Sequence, residues 1–489
     1  MNKPIRTVSV FCLILFVALL AQATNVQFFQ AGGYYDRADN RRVLETRFAA
    51  ERGSILAGDL EVAVSEPVDD RYQYQRTYPY PQQYAHLTGW FYYGNQTRLE
   101  RSQNSLLSGD DPSLFINQLS DLIDNRTPAG SDVRLTIDPG VQQVAYEQLS
   151  ALAGGGDVQG AVVALRPTTG EVLASVSLPS YNPNDLALRD VGQVQENYEI
   201  LDTAEARPLT NRATETTLPP GSTFKLVTAA AYLEDNPDIT ADSQVPGGDS
   251  YQLPGTRTSI ANGGRACGDS TVSLTQAMEN SCNTTFLQLA VDVGQEDMTR
   301  TAEAFGFNET PIEDYPGAVA SAYPDNEGDD ALAVSGIGQR DVRATPLEMA
   351  MVVGAIANDG VLMQPYLIDQ VRSPNGDVVE RTDPEEIGEA TSPRTAEVLQ
   401  DLLVNTVNDG TASQARIEGV TVGGKTGTAE NCEDCRPYAW FVSFAERDGE
   451  QVAVAVMLQN VPENVTISGG GLGGPIARAV MAEALGVGD

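Results

Sequence analysis

Strand-like segments lie on both sides of a long helical region in this 489-residue chain. Two apolar runs joined by a Pro-Thr-Thr-Gly turn, over 160–178, predict a β-hairpin in the middle of a sheet. Three further strands are predicted over 424–430, 438–446 and 451–461, before a final amphipathic helix. A sheet whose first strands precede a helical insertion and whose last strands follow it makes one long α+β domain, which we place at 136–489.

Capping residues indicate where helices of this domain begin. Asp138 can cap a helix that Pro139 opens, since proline is tolerated in the first turn. Thr345 is a second predicted cap, with Pro346 in the first turn and Glu348 closing a capping box.

An apolar run close to the N terminus predicts insertion into a membrane. Residues 8–23 are almost wholly apolar, and Lys3 and Arg6 precede them. The run falls short of the ~20 residues that span a bilayer comfortably, but two phenylalanines extend it into the far interface. We predict an uncleaved signal anchor over 8–29 after a cytoplasmic tail over 1–7. A cleaved signal peptide is the alternative, and in both cases the bulk of the chain is exported.

The segment from 30 to 135 mixes short strand-like runs with polar turns. This pattern predicts a smaller α+β or β-rich N-terminal module. His86 lies there among aromatic residues, and without catalytic partners in the sequence we assign it a packing role.

Charge and residue scarcity exclude several classes of function. Acidic residues number 67 against 31 basic ones, a net charge of −36, so binding to nucleic acid is not expected. A single histidine argues against a Ser-His-Asp hydrolase, a Cys-His protease or a multi-histidine zinc site. Only three lysines occur, Lys3, Lys225 and Lys425. Because arginine stays protonated in proteins and lysine need not, these lysines mark candidate positions for a base.

Ser222 and Lys225 form the strongest local motif, Ser-x-x-Lys, at the opening of a predicted helix. A spacing of three places both side chains on one face of the helix. The helix N terminus favours a developing oxyanion and a neutral lysine, which could accept the serine proton. An N-cap serine followed by a surface lysine is the alternative interpretation, and the rarity of lysine disfavours it.

Two further motifs follow in the order expected for serine acyltransferases. Ser281-Cys282-Asn283 comes first, and Lys425-Thr426-Gly427-Thr428 follows at the predicted start of a strand. Each motif is weak alone. Ser-x-x-Lys, a Ser-Asp-Asn element and Lys-Thr-Gly together are typical of penicillin-binding proteins and serine β-lactamases, and here cysteine occupies the middle of the second motif.

With these motifs, the chain resembles the class B penicillin-binding proteins, and most closely the actinobacterial penicillin-binding protein A group. Flanking segments carry the resemblance over nearly the whole length: RGSI, LTIDPGVQQ, PSYNPN, LTNRA, PPGSTFK, GIGQ, TPLEMA and KTGTAE followed by AWFVSFA. The resemblance implies the serine β-lactamase/penicillin-binding transpeptidase fold over 136–489 and a dimerisation or pedestal-like module over 30–135. It also implies a membrane-anchored D,D-transpeptidase that cross-links peptidoglycan through an acyl-serine and is acylated by penicillins.

The resemblance also implies a role for each motif residue. Ser222 would be the nucleophile, Lys225 the acylation base and Ser281 a proton relay to the leaving amine. Asn283 would bind a substrate amide and help hold Lys225, and Lys425 would raise the positive potential and keep Lys225 neutral. Thr426 and Thr428 would receive the terminal carboxylate, Thr428 would supply one oxyanion-hole N–H group, and Gly427 would belong to the same substrate-binding strand. No cofactor or metal is expected. Expected partners are stem peptides or their lipid-linked precursor, β-lactams, the cytoplasmic membrane and proteins of a division or elongation complex.

Four cysteines outside the anchor leave their pairing open. Sequence proximity favours Cys267 with Cys282 and Cys432 with Cys435, and four thiolates around zinc are the alternative. A bond to Cys282 would clamp the loop that carries Ser281 and Asn283.

Other activities share the same motifs. A serine β-lactamase needs a carboxylate and a water for deacylation, and no such carboxylate can be located from the sequence. A D,D-carboxypeptidase differs only in its acceptor. An acylable antibiotic sensor would need further membrane spans or a signalling domain, and none is visible in the sequence. A scaffold protein without catalytic activity would not need the two unusual lysines.

Overall fold

The computed structural model describes residues 2–30, 49–70, 72–92, 95–111, 129–152, 158–312, 315, 317–429, 436–463 and 465–488. The α-helices in these ranges are α1 (Asn2–Thr24), α2 (Pro81–Thr88), α3 (Arg98–Ser102), α4 (Asn104–Ser108), α5 (Pro139–Ala151), α6 (Val191–Asp202), α7 (Lys225–Asp235), α8 (Leu274–Glu279), α9 (Asn283–Val293), α10 (Gln295–Ala304), α11 (Asp329–Ser335), α12 (Pro346–Ala357), α13 (Pro393–Asn408) and α14 (Gly474–Ala484).

Strands alternate with these helices along the chain. They are β1 (Ile55–Ala57), β2 (Leu60–Pro67), β3 (Tyr74–Thr77), β4 (Phe91–Tyr92), β5 (Asn95–Gln96), β6 (Asp132–Leu135), β7 (Gln159–Leu165), β8 (Val172–Leu178), β9 (Gln244–Pro246), β10 (Ser250–Gln252), β11 (Ser259–Ala261), β12 (Thr271–Ser273), β13 (Val361–Met363), β14 (Ile368–Arg372), β15 (Val378–Arg381), β16 (Glu386–Glu389), β17 (Thr421–Ala429), β18 (Tyr438–Arg447) and β19 (Glu450–Asn460).

A five-stranded antiparallel sheet organises the larger part of the molecule. Its order is β17-β18-β19-β7-β8, so strands from both ends of this region pair across the helical insertion, as predicted. Helices α5 and α14 cover one face and α12 covers the other. Because both faces are covered, successive residues such as Val162 and Val163 enter different cores, and the strands are apolar without alternation.

The β7–β8 hairpin lies at one side of this sheet, which corrects the expectation that it lies in the middle. β7 pairs with β19, and β8 is an edge strand with all seven residues buried. Its continuous burial therefore results from the layers above and below it and not from strands on both sides.

Both predicted helix caps form, but the predicted capping box does not. The Asp138 carboxylate accepts hydrogen bonds from the backbone N–H groups of Gly140 and Val141 at the start of α5. The Thr345 hydroxyl accepts from the Glu348 N–H, but the reciprocal bond of a capping box is absent, because the Thr345 N–H donates to the Ser321 hydroxyl instead. Within the described residues the fully buried Glu348 carboxyl has no hydrogen-bond partner.

A second, six-stranded sheet joins the N-terminal segment to a distant part of the chain. Its order is β15-β14-β6-β1-β2-β3, and the first two strands come from after the helical insertion. This crossover was not predicted from the sequence. The boundaries at 30–135 and 136–489 remain predictions.

Buried polar groups hold the N-terminal segment in place. Glu100, fully buried, accepts from Arg52 at 2.7 Å and from Arg76 at 2.6 Å. His86 is 4% exposed, and its Nε2 lies 2.8 Å from the Pro208 carbonyl oxygen. Burial lowers the pKa of His86 to about 3, which fits the predicted packing role.

The apolar run near the N terminus is helical. Within the described residues one helical stretch, Ile5–Gln27, is long and apolar enough to cross a membrane. A signal sequence passes the same test, so the choice between anchor and signal peptide stays a prediction.

Candidate active site

Ser222 lies in a short 3₁₀ turn, Gly221–Thr223, and α7 begins only at Lys225. The expected helix opening at Ser222 is therefore a tighter turn that leads into the helix. Gly221 has a φ of 57°, and its N–H donates to the Gly338 carbonyl at 2.9 Å. A side chain at Gly221 would lie 2.7 Å from the Thr428 carbonyl oxygen, so glycine lets the turn pack against β17.

Lys225 is completely buried at the start of α7. Its Nζ donates to the Ser281 carbonyl at 2.8 Å and to the Asn283 Oδ1 at 2.7 Å, and it lies 3.3 Å from the Ser281 hydroxyl. None of these hydrogen bonds reaches Ser222. The structure thus places the Lys225 amine inside the protein against the Ser-Cys-Asn loop, far from the solvated position of a surface lysine.

The Ser281 hydroxyl connects the two buried lysines. Lys425 Nζ lies 2.9 Å from the same Ser281 oxygen that Lys225 approaches. Ser281 has a φ of 53°, a left-handed conformation that is costly for a residue with a side chain. A continuous path of polar hydrogen-bonding groups therefore runs from Lys225 through Ser281 to Lys425.

Burial and mutual repulsion favour the neutral forms of both lysines. Burial lowers the pKa of Lys225 well below its ordinary value, and the nearby charges of Lys425 and Arg265 lower it further. Burial and Arg265 also lower the pKa of Lys425, to about 7. Lys225 therefore has the electrostatic environment of a base at neutral pH, whereas Lys425 titrates near neutrality.

Lys425 lies in the middle of β17 and not at its start, because pairing with β18 begins four residues earlier at Thr421. The strand is at the edge of its sheet, so one side of its backbone has no partner strand. Thr428 is exposed there, and the Thr426 hydroxyl donates to the Thr411 hydroxyl at 3.1 Å. A Cβ on Gly427 would lie 2.8 Å from the Pro220 carbonyl oxygen, so this glycine lets β17 approach the Ser222 turn.

Asn283 connects Lys225 to a neighbouring hairpin. Its Oδ1 accepts from Lys225, and its Nδ2 donates to the Ala261 carbonyl at 3.0 Å. Ala261 ends the hairpin formed by β10 and β11. One N–H of the Asn283 side chain is thus used in fixing its orientation.

A disulfide joins Cys267 to Cys282, the middle residue of the second motif. This confirms the first favoured pairing and contradicts the zinc alternative, because two of its four thiolates are oxidised. Cys432 and Cys435 lie outside the described residues.

The sequence-predicted residues meet around one cleft of about 620 Å³. Ser222, Ser281, Asn283, Thr426 and Thr428 line it, and the buried Lys225 and Lys425 lie behind them.

Sequence reasoning missed three residues that contribute to this arrangement. Arg265 lines the cleft, and Thr411 contacts Thr426. Gly338 packs so closely against the Ser222 turn that a Cβ added to it would lie 2.2 Å from the Gly221 carbonyl oxygen. The only available signals were the proximity of Arg265 to Cys267 and the place of Gly338 in the GIGQ segment. Nothing in the sequence distinguished Thr411.

Comparison with known proteins shows the relationship directly. The model "Penicillin binding protein transpeptidase domain" matches residues 160–482, and "Penicillin binding protein A dimerisation domain" matches residues 52–133. The chain is similar to peptidoglycan D,D-transpeptidase PbpA of Mycolicibacterium smegmatis, with 41% identity over 494 residues and 99% of each protein covered. The protein of the same name from Mycobacterium tuberculosis is 39% identical over 495 residues, again with 99% of each covered.

Solved structures agree with these sequence matches. The ceftriaxone acyl-enzyme complex of penicillin-binding protein A from M. tuberculosis superimposes with a TM-score of 0.85 and 37% identity, covering 90% of this chain and 100% of that one. Its penicillin G acyl-enzyme complex gives a TM-score of 0.83 and 38% identity, covering 89% and 100%. The resemblance inferred from the motifs is confirmed, and the chain belongs to the penicillin-binding protein family, with a transpeptidase domain of that family.

Proposed function

We propose that this protein is a peptidoglycan D,D-transpeptidase that cross-links stem peptides through an acyl-serine and is acylated by penicillins. One observation carries the proposal. The buried Lys225 amine, with its lowered pKa, is joined through the Ser281 hydroxyl to Lys425, and the cleft beside them exposes Ser222. This arrangement suits a serine nucleophile whose base is an amine and not a histidine.

In the proposed acylation, Ser222 Oγ attacks the carbonyl carbon between the two terminal D-alanines. Lys225 accepts the Ser222 proton, and the C–N bond then breaks as a proton passes through Ser281 to the leaving D-Ala amine. The amine of a second stem peptide attacks the acyl-serine, loses its proton to the same groups and releases Ser222. In the free protein the hydrogen bonds of Lys225 go to the Ser281 loop and to Asn283. Hydrogen bonds between catalytic groups commonly tighten only when substrate binds, and the proposal expects this for Lys225 and Ser222.

The other motif residues orient the substrate in this proposal. Thr426 and Thr428 receive the terminal carboxylate near Lys425, and Asn283 binds a substrate amide. The backbone N–H groups of Ser222 and Thr428 stabilise the oxyanion. The free side of β17 is suited to pair with the extended peptide as an added strand.

A fluorescent penicillin tests the assignment on the exported part of the chain. Ser222→Ala should abolish covalent labelling. Lys225→Arg should reduce the acylation rate by roughly 10²–10⁴-fold, because a guanidinium stays protonated and cannot act as a base. Wild-type labelling should persist for many minutes. Labelling of Ser222→Ala at the wild-type rate would refute the nucleophile assignment.

The same assay separates the alternatives. A β-lactamase would release the label rapidly, although among the described residues that line the cleft there is no Asp or Glu to activate a deacylating water. A D,D-carboxypeptidase would hold the label but transfer stem peptides only to water. Product analysis with a donor stem peptide and an amine acceptor decides between these two reactions.

We further propose a single-pass membrane topology, with residues 1–7 in the cytoplasm, 8–29 as the anchor and the remainder outside. The apolar helical stretch Ile5–Gln27 supports it. The module at 30–135 would serve dimerisation or act as a pedestal for the transpeptidase domain at 136–489, and it would contact division or elongation proteins and the lipid-linked precursor. Protease digestion of intact spheroplasts should remove the bulk of the chain and leave a membrane-bound N-terminal fragment.

A further inference from the structure

The charge of the cleft differs from that of the whole molecule. Acidic residues exceed basic ones by 36 in the chain, yet the described residues that line the cleft include Arg265 and Arg340 and no carboxylate. The buried Lys425 adds a group that is partly cationic at neutral pH. Such a local reversal of sign favours an anionic ligand.

The two arginines are not equivalent. Arg340 lies 3.8 Å from an Asp330 oxygen and 3.6 Å from an Asp341 oxygen, so its charge is partly balanced. Arg265 is exposed, and within the described part of the chain it makes neither an ion pair nor a side-chain hydrogen bond. It is therefore the cation of the cleft wall that remains free to bind a ligand.

The backbone that carries Arg265 is fixed to the active site at several points. The disulfide Cys267–Cys282 ties one end of its loop to the Ser281 segment, and Asn280 Nδ2 donates to the Ala266 carbonyl at 2.9 Å. At the other end, Asn262 Oδ1 accepts from the Thr284 N–H at 3.0 Å. The exposed Arg265 side chain thus extends from a preorganised backbone, which reduces the entropy lost on binding.

The position of Arg265 indicates which anion it meets. The terminal carboxylate of the donor is assigned to Thr426 and Thr428 on β17, whereas Arg265 belongs to the wall that carries Asn283. We propose that Arg265 binds a second carboxylate of the donor, located on the N-terminal side of the scissile bond, and so selects donor peptides with an acidic group there. This inference rests on the acyl transfer proposed above.

Two penicillins test the inference, because carbenicillin is benzylpenicillin with one added carboxylate on the acyl side chain. Second-order acylation rates of the wild-type protein, Arg265→Gln and Arg265→Lys are measured with both compounds at one pH. We expect Arg265→Gln to lower the ratio of the carbenicillin rate to the benzylpenicillin rate by about tenfold, the range for one charged hydrogen bond. Arg265→Lys should restore part of it.

Arg257→Gln is the matched control, since Arg257 is exposed in the turn between β10 and β11 and is not among the residues that line the cleft. Its ratio should equal that of the wild-type protein. An equal loss for both penicillins in Arg265→Gln would overturn the inference, because both carry the carboxylate that mimics the C-terminal one.

A peptide arm distinguishes the donor from the acceptor. Donor peptides with a free carboxylate or the corresponding carboxamide before the D-Ala-D-Ala unit should differ in acylation rate with wild-type protein and not with Arg265→Gln. If the free carboxylate changes the rate only when the acceptor peptide carries it, the donor assignment is contradicted. If neither penicillin acylates the wild-type protein, the proposed acyl transfer is wrong. If both penicillins acylate it without any dependence on Arg265, only the proposed carboxylate selectivity is wrong.

Discussion

Lysine is rare in this chain, and two of its three lysines lie buried against one serine hydroxyl. Their rarity made Lys225 and Lys425 recognisable from the sequence, and at Lys225 an arginine could not serve, because a guanidinium does not lose its proton. Arg265 could not be recognised in this way, since it is one of many arginines. Its influence on both lysines depends on a fold that places the loop after β11 and the strand β17 around one cleft.

The lowered pKa of Lys425 predicts a pH dependence of acylation. Its pKa of about 7 means that the charged form is present below neutrality and is lost as the pH rises through that value. Since charged Lys425 donates to Ser281 and attracts the substrate carboxylate, the acylation rate should fall on the alkaline side. In Lys425→Arg this fall should disappear below pH 10, because a guanidinium keeps its proton.

Stopped-flow acylation from pH 5 to 10 measures this effect, and near-ultraviolet circular dichroism checks that the variant is folded. The fall of the acylation rate at acid pH should remain in Lys425→Arg, because that fall reports protonation of Lys225. An alkaline fall of unchanged midpoint in Lys425→Arg would show that another group is responsible.

At the scale of elements, α12 begins with a capping arrangement that is only half formed. The Thr345 hydroxyl caps the helix, but the Glu348 carboxyl is turned into the core, where a Cβ on Gly306 would lie 2.9 Å from its Oε1. Burial raises the pKa of Glu348 to about 8.

This carboxyl predicts a loss of stability as the pH rises. Between its ordinary pKa near 4.5 and the folded value near 8, the folded protein holds a proton that the unfolded chain has lost. The unfolding free energy should therefore decrease by up to about 1.4 kcal/mol per pH unit in that window. Glu348→Gln, which has no proton to lose, should remove this contribution.

Urea unfolding of both proteins at pH 5 and pH 8 provides the measurement. The unfolding free energy of Glu348→Gln minus that of the wild-type protein should be larger at pH 8 than at pH 5. The opposite trend, or none, would mean that the Glu348 carboxyl is ionised in the folded protein.

Some features of these helices and strands could be predicted from sequence patterns, and others could not. The α5 cap at Asp138, the strands β17 to β19 and the meeting of the three motifs were predictable, because they depend on local propensity and on a known order of motifs. The 3₁₀ turn at Ser222 was not, because a spacing of three fits a 3₁₀ turn and an α-helix alike. The missing return bond from Glu348 depends on Ser321, a residue that only tertiary folding brings to Thr345.

At the scale of the whole molecule, the N-terminal segment and the transpeptidase region share one sheet. β14 pairs with β6 through Ile368 and Leu135, and β15 extends the sheet. Side chains add further links, such as Arg98 with Glu215 and His86 with Pro208. The chain order could not predict this pairing, because strands so distant in sequence carry no local signal for each other.

Truncation provides the test of this integration. A fragment that begins at residue 136 lacks β6 and leaves one side of β14 unpaired, which favours aggregation. We expect it to aggregate and to be acylated by benzylpenicillin at least tenfold more slowly than a fragment that begins at residue 49. Size-exclusion chromatography and labelling measure both properties. A monomeric 136–489 fragment with the longer fragment's acylation rate would show that the sheet is dispensable.

The shared sheet also constrains the order of biogenesis. The Thr136 hydroxyl donates to the Tyr366 carbonyl across 230 residues, beside the place where β6 meets β14. A ribosome adds residues one by one, at roughly 5–20 each second, so β1, β2, β3 and β6 emerge many seconds before their last partners exist. During that interval the edge of β6 is open to wrong partners, and a chaperone that shields nascent strands would act on this protein at that stage.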